Sequence, residues 1–398
     1  MLFSQLLRGG SVVRRLALCA SLAFCGSASA EIHFECSPER LTQLEQNLAP
    51  YLKSVGVRDA LLTVTRGPTQ LRYGLRDSAP AGDTVTLRFR PELDITEESV
   101  TLPTNKPEEL RTVSTVSRKE ILYALMHSGR ETRFSGKACD AQALIDHVGV
   151  RQMTVAWAEH LQWGWPDGGP AEWNAALWDK GTPRPGVDTF DAFMDVFVNP
   201  QAYAVGCYTA TKFVMVQGVL DYYRRIRKDE ALARLVERRL WEDQDPLVGV
   251  EPRAMWSFEA DYDASEQHIP GKYLRLQHNV VAGNFVPGDW AYFLNTDPVS
   301  YEKTGYEGSN AIYLGRNRFN DHYADNGGHY LYLEKLRMVY HWRRGVFSRS
   351  RDYAKIEQLS TQQLYALEKT PEEGGFLLSL RAVPYYFGFD ELPSLKQP

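Results

Sequence analysis

The chain is poor in cysteine, in positive charge and in long apolar runs. Five cysteines stand among 398 residues, and the formal charge is −5. With no bulk basic field, nucleic acid is excluded as the default partner. Beyond residue 30 no stretch approaches 18 apolar residues, so no membrane-spanning helix is expected once the N-terminus is cut. Aromatics at 12% with nine tryptophans exclude a disordered chain, and 30 glycines and 21 prolines are too few for collagen or low complexity. His-Glu-x-x-His, Cys-x-x-Cys, Gly-x-Ser-x-Gly and the phosphate-cradling glycine loop are all missing. His322 and His329 stand seven apart near Asp321 and Asp325 without a second ligand cluster, so neither a metal nor a cofactor is expected.

What is present begins with an address. Residues 1–30 hold Arg8, Arg14 and Arg15, no acid, the apolar run Leu16 to Phe24, and the small-residue cut Ala28-Ser29-Ala30. That is the pattern of a secretory signal peptide, which predicts an exported protein, periplasmic or secreted. Cleavage removes three arginines and no acid, taking the charge from −5 to −8. It also removes Cys19 and Cys25, leaving Cys36, Cys139 and Cys207. In an oxidising compartment an odd count means one bridge and one cysteine over, or an intermolecular bridge. A Cys36–Cys139 bridge would staple the N-terminal region and leave Cys207.

The mature chain reads as α+β. Residues 31–150 form an N-terminal accessory region of mixed structure, with a helix over Leu41 to Leu52 and an alternating strand over Thr84 to Arg90. Leu102 to Pro107 is a loop and candidate boundary, and Ser117 with Glu120 has the spacing of a capping box. Further helices are expected from Ala143 to Leu161 and from Leu331 to Phe347, with a solvated one over Arg224 to Arg239. Trp163, Trp165, Trp173 and Trp178 are read as core or loop-packing residues, with a groove as the alternative. The basic cluster Arg343, Arg344, Arg349 and Arg351 reads as a solvated face. Residues 351–398 add a helix and a strand.

Ala204 to Tyr223 is apolar on nearly all sides, the mark of a buried helix, and Cys207 lies near its start after Gly206. There the helix dipole and backbone N–H groups favour a thiolate. An inert buried thiol is the alternative reading. Two strands follow, Gly288 to Leu294 and Asn310 to Gly315.

The order of these parts resembles the bacterial papain-like cell-wall peptidase superfamily. Within it, Tyr203 to Cys207, Val286 to Asn295, Tyr306 to Gly315 and Arg318 to His322 are similar to the protein-glutamine gamma-glutamyltransferases, the sporulation-type transglutaminases. The resemblance covers roughly residues 165–345 and implies a papain-like thiol core over 151–350, with a nucleophile helix packed on a small antiparallel sheet. Carried over, Cys207 is the nucleophile and His322 stands where the family has a His. The family has Glu where this chain has Gly206, and Glu again where it has Ser309. Glu307 and Asp321 are candidate replacement carboxylates. The implied activity is an acyl transfer from a protein Gln to a protein Lys through a Cys207 acyl-enzyme, with no cofactor. The alternatives are an amide hydrolase acting on cell-wall peptides, and a degenerate binding module.

Overall fold

The computed structural model describes residues 31–78, 84–127, 131–161, 163–164, 170–179, 181–242, 274–278, 284–295, 308–322, 329–343, 358–367 and 380–384. The expected signal peptide, Trp165, Glu307 and the arginines beyond Arg343 therefore lie outside the described residues.

Short amphipathic segments build the N-terminal sheet. Its order is β2 (Leu62–Arg66), β3 (Gln70–Leu75), β1 (Glu31–Glu35) and β6 (Glu131–Ser135). Helix α1 (Pro38–Ser54) closes over it through Leu41, Leu44, Leu48 and Leu52, all buried, at the spacing that puts them on one face. Cys36 at the end of β1 is bridged to Cys139, with Cα atoms 6.0 Å apart and 103 residues between them. Closing a loop of that length contributes about 4–5 kcal/mol in the chain-entropy account.

Three local expectations change. Thr84–Phe89 is a 3-10 turn and not a strand. Its apolar residues serve two separate cores, Val85 one and Leu87 the other, and the Thr84 hydroxyl donates to the Phe285 carbonyl. The Leu102–Pro107 stretch straddles the turn of a hairpin, β4 (Glu98–Pro103) with β5 (Leu110–Thr115), rather than a boundary. The capping box is half formed: the Ser117 hydroxyl caps α2 (Arg118–Leu125) by accepting from the Glu120 amide at 3.2 Å. The Glu120 carboxylate turns inward and accepts from the Arg316 amide at 2.6 Å, and burial raises its pKa to about 7.

Helix α3 (Ala141–Ala158) starts from Asp140, whose side chain accepts from the Gln142 amide, and runs on through residue 150. After a small hairpin, β7 (Trp178–Asp179) and β8 (Thr182–Pro183), come α4 (Thr189–Val198) and α5 (Cys207–Asp221). The described tryptophans are packing residues: Trp163, Trp173 and Trp178 surround Phe213 of α5 at 5.3–5.8 Å between ring centroids. A π-helical turn, Tyr222–Ile226, extends α5 before α6 (Glu230–Glu242). Gly218 lets α3 and α5 touch, since a Cβ there would stand 2.7 Å from the Thr154 Cα.

The second sheet runs β13 (His329–Leu331), β12 (Arg318–Asn320), β11 (Gly308–Gly315), β10 (Trp290–Leu294), β14 (Leu380–Pro384) and β9 (Leu274–His278), with every neighbouring pair antiparallel. Consecutive strand residues face opposite ways. Trp290, Tyr292, Ile312 and Leu314 join the main core with α3 and α5. Ala291, Phe293, Ala311 and Tyr313 join a second core under α7 (Tyr332–Arg343) and α8 (Thr361–Leu367). Helix α7 thus begins one residue later than expected, because Leu331 ends β13.

The turn into β10 is pinned from behind. Gly288 holds a left-handed φ of +85°, with the Arg151 backbone 3.2 Å from where a Cβ would stand. The Arg151 guanidinium donates to Asp289 at 2.7 Å and to the Pro287 carbonyl at 3.0 Å, and both members of the ion pair are fully buried. Removing one member of such a pair costs about 3–5 kcal/mol. Urea unfolding of Arg151→Met is expected to show that loss, and Arg151→Met/Asp289→Asn to recover most of it. A single variant as stable as the parent would contradict this role.

Candidate active site

Cys207 is the first residue of α5, and its cap, Gly206, has an extended backbone and no side chain to compete for the first-turn amides. The thiol is part-exposed, whereas the rest of the helix is buried. A sulfur in that place sits at the positive end of the helix dipole.

Strand β11 supplies the group that meets it. Asn310 Nδ2 donates to Cys207 Sγ at 3.5 Å, while Trp290 Nε1 donates to Asn310 Oδ1 at 2.7 Å. An indole nitrogen can only donate, so it must take the amide oxygen and send the NH₂ toward the sulfur. Tyr208, next to the cysteine, packs edge-on against Trp290 at 5.2 Å, which fixes the indole in turn.

His322 reaches the same helix by another route. Thr211, one helical turn after Cys207, donates its hydroxyl to the Cys207 carbonyl at 2.7 Å. Its oxygen lies 3.1 Å from His322 Nε2. Because the single hydroxyl proton is spent on the carbonyl, Nε2 is the donor in that contact and Nδ1 carries the lone pair. Among the described residues Nδ1 has no hydrogen-bond partner. Desolvation pushes the His322 pKa from 6.5 down to about 3, outweighing the upward pull of Asp321 and aided by Lys335. The imidazole is therefore neutral at physiological pH, and the desolvation that keeps it neutral also makes it a weaker base than a solvated histidine.

The other sequence candidates go elsewhere. Ser309 and Asp321 both meet Lys335 Nζ, at 2.6 and 2.5 Å, on the α7 face of the sheet. They are not brought to the sulfur, since Ser309 shares its face with Ala311 and Tyr313 and Asn310 holds the face toward α5. Glu307 lies outside the described residues. Asp289 caps its own turn and pairs with Arg151. Sequence reasoning missed Asn310, Trp290, Thr211 and Lys335. Only Thr211 had a readable signal, its spacing of four from Cys207 on one helix.

A helix carrying a thiol at its head and packed on an antiparallel sheet defines an α+β protein with a papain-like thiol core. A sequence model of the protein-glutamine gamma-glutamyltransferase family matches residues 119–338, over half of the chain, and the chain belongs to that family. It is thus a transglutaminase-like acyltransferase, with proteins supplying Gln and Lys as the substrates the family implies. Among solved structures it is similar to a transglutaminase from Geobacillus stearothermophilus (without C-terminal extension). That match has 19% identity and a TM-score of 0.37, covering 64% of this chain and 98% of the other. No curated protein matches the chain.

The depressed His322 pKa has a consequence for stability. Between pH 6.5 and about 3 the unfolded chain binds this proton and the folded chain does not, so stability contributed by the neutral ring is lost as pH falls. In melts at about pH 8 and about pH 4.5, His322→Asn is expected to gain Tm relative to the parent at the lower pH. An unchanged difference would contradict a neutral, desolvated His322.

Proposed function

We propose that this chain is exported and joins protein glutamine to protein lysine through an acyl-enzyme on Cys207. The observation that supports this most directly is the pair of contacts at the head of α5: Asn310 on the sulfur, and His322 held one turn away on Thr211. His322 takes the thiol proton, and the thiolate adds to the carboxamide carbon of a glutamine side chain. The tetrahedral adduct collapses, the C–N bond breaks, and ammonia leaves with the proton returned by His322. The resulting thioester is attacked by a neutral lysine amine. Its surplus proton passes to His322 and then to the departing sulfur, which restores the thiol and leaves an isopeptide bond. The Asn310 amide stabilises the negative charge as it forms on sulfur.

Export is supported by the signal-peptide pattern of residues 1–30 and by the Cys36–Cys139 bridge, a bond that persists in oxidising compartments. Among the described residues no helix is long and apolar enough to cross a membrane.

Purified full-length chain, assayed for uptake of a labelled primary amine into casein, tests the mechanism. Cys207→Ala is expected to abolish uptake, and retained activity would overturn the acyl-enzyme. Asn310→Ala removes one hydrogen bond to a charged atom, worth about 1.5–3 kcal/mol, so kcat/KM should fall roughly 10- to 100-fold. Amine release from peptidoglycan without labelled-amine uptake would instead support a cell-wall amide hydrolase.

A further inference from the structure

Behind the sheet, on the side away from Cys207, lies a buried polar cluster that the acyl transfer described above does not use. Lys335 of α7 is fully buried, as are Ser309 and Asp321. Its ammonium donates to the Ser309 hydroxyl at 2.6 Å and to the Asp321 carboxylate at 2.5 Å, and it stands 5.2 Å from the Tyr330 ring centroid. As structural glue this arrangement is poor. Desolvating two charges costs several kcal/mol each, and well-packed apolar residues in their place are often neutral or stabilising.

The residues that Lys335 holds are the immediate neighbours of the two that face α5. Ser309 precedes Asn310, and Asp321 precedes His322. Strands β11 and β12 pair with Ile312 opposite Asn320, so the same register continued sets position 322 across from position 310. One ammonium on the far face thus grips the residue before each group on the near face. The grip has a job at His322, whose φ of +68° is left-handed, a conformation a non-glycine residue keeps only when its surroundings hold it. Asn320 supplies part of that hold: its side-chain oxygen accepts from the His322 amide at 2.6 Å and its NH₂ donates to the Ala158 carbonyl at the end of α3. Asp321 on Lys335 supplies the opposing anchor.

We propose that Lys335 is a positioning residue for the acyl transfer: a buried clamp on Ser309 and Asp321 that sets Asn310 against the Cys207 sulfur and His322 against Thr211. This rests on the Cys207 reading above for its catalytic consequence, but not for its geometry.

The test uses full-length, disulfide-bonded chain. Lys335→Met leaves the Asp321 carboxylate without its cation. Lys335→Met/Asp321→Asn removes both charges, and Ser309→Ala removes the hydroxyl while the ion pair stays. In the double variant, folding should be retained while kcat for amine uptake falls roughly 10²-fold, as expected for sub-ångström to 1 Å misplacement of catalytic groups. KM for the glutamine donor should stay within about twofold, since no clamp residue is placed on substrate. Ser309→Ala should lower kcat about tenfold through Asn310. Nitrogen-15 NMR of the histidine rings reads the clamp without any turnover. Asp321 and Lys335 are the charges acting on His322 and Thr211 of α5 meets its ring, so Lys335→Met should shift its titration upward. A parent without Cys207-dependent turnover would sink the proposed function, while the NMR titration would still decide the clamp. An unchanged His322 titration in Lys335→Met, or parental kcat in the folded double variant or in Ser309→Ala, would overturn the clamp.

Discussion

The alternation of strand β11 is the constraint on which the site depends. Each step along the strand changes the face of the sheet, and the two faces here belong to different cores. One is the main core, where α5 and α3 lie, and the other is the core under α7 and α8. Asn310 therefore reaches the Cys207 sulfur because Ser309 does not. A slip of one residue would exchange them, putting a hydroxyl at the thiol and an amide against Lys335. Trp290 on β10 guards the register from the next strand, as its indole takes the Asn310 oxygen and its ring packs on Tyr208.

Much of this scaffold was legible before any coordinates. The all-round apolar character of Ala204 to Tyr223 gave the buried helix, and Gly206 before Cys207 marked its start. The two strands, the Ser117 cap and the Cys36–Cys139 bridge were likewise readable from pattern and count. The face of β11 was not. Asn310, Ile312 and Leu314 alternate with Ser309, Ala311 and Tyr313, and both sets are buried because both faces are covered. A strand of that kind carries no periodic signal saying which set meets Cys207. Glu120 misled for a related reason. Its spacing from Ser117 fits a surface cap, yet its contact with the Arg316 amide, 196 residues away, is set only by tertiary packing.

The electrostatics of the site follow from burial more than from neighbouring charge. His322 keeps a low pKa although Asp321 adjoins it, because loss of solvent outweighs the carboxylate and Lys335 opposes it. In the proposed acyl transfer the neutral ring offers its Nδ1 lone pair to the thiol proton, with Asp321 offsetting part of the desolvation that opposes protonation. The position of Gly206 fits the same picture. Glycine at the helix cap brings no side chain between the first turn of α5 and Cys207, which sits at the positive end of the helix dipole.

Intact-mass analysis of the acyl-enzyme tests the central claim most directly. Incubated with a glutamine-containing peptide and no amine, the purified chain should gain the mass of the peptide less one ammonia. The adduct should map to Cys207, be released by hydroxylamine, and be discharged by an added primary amine. An adduct on another residue, or turnover of the peptide with Cys207 blocked, would contradict the account.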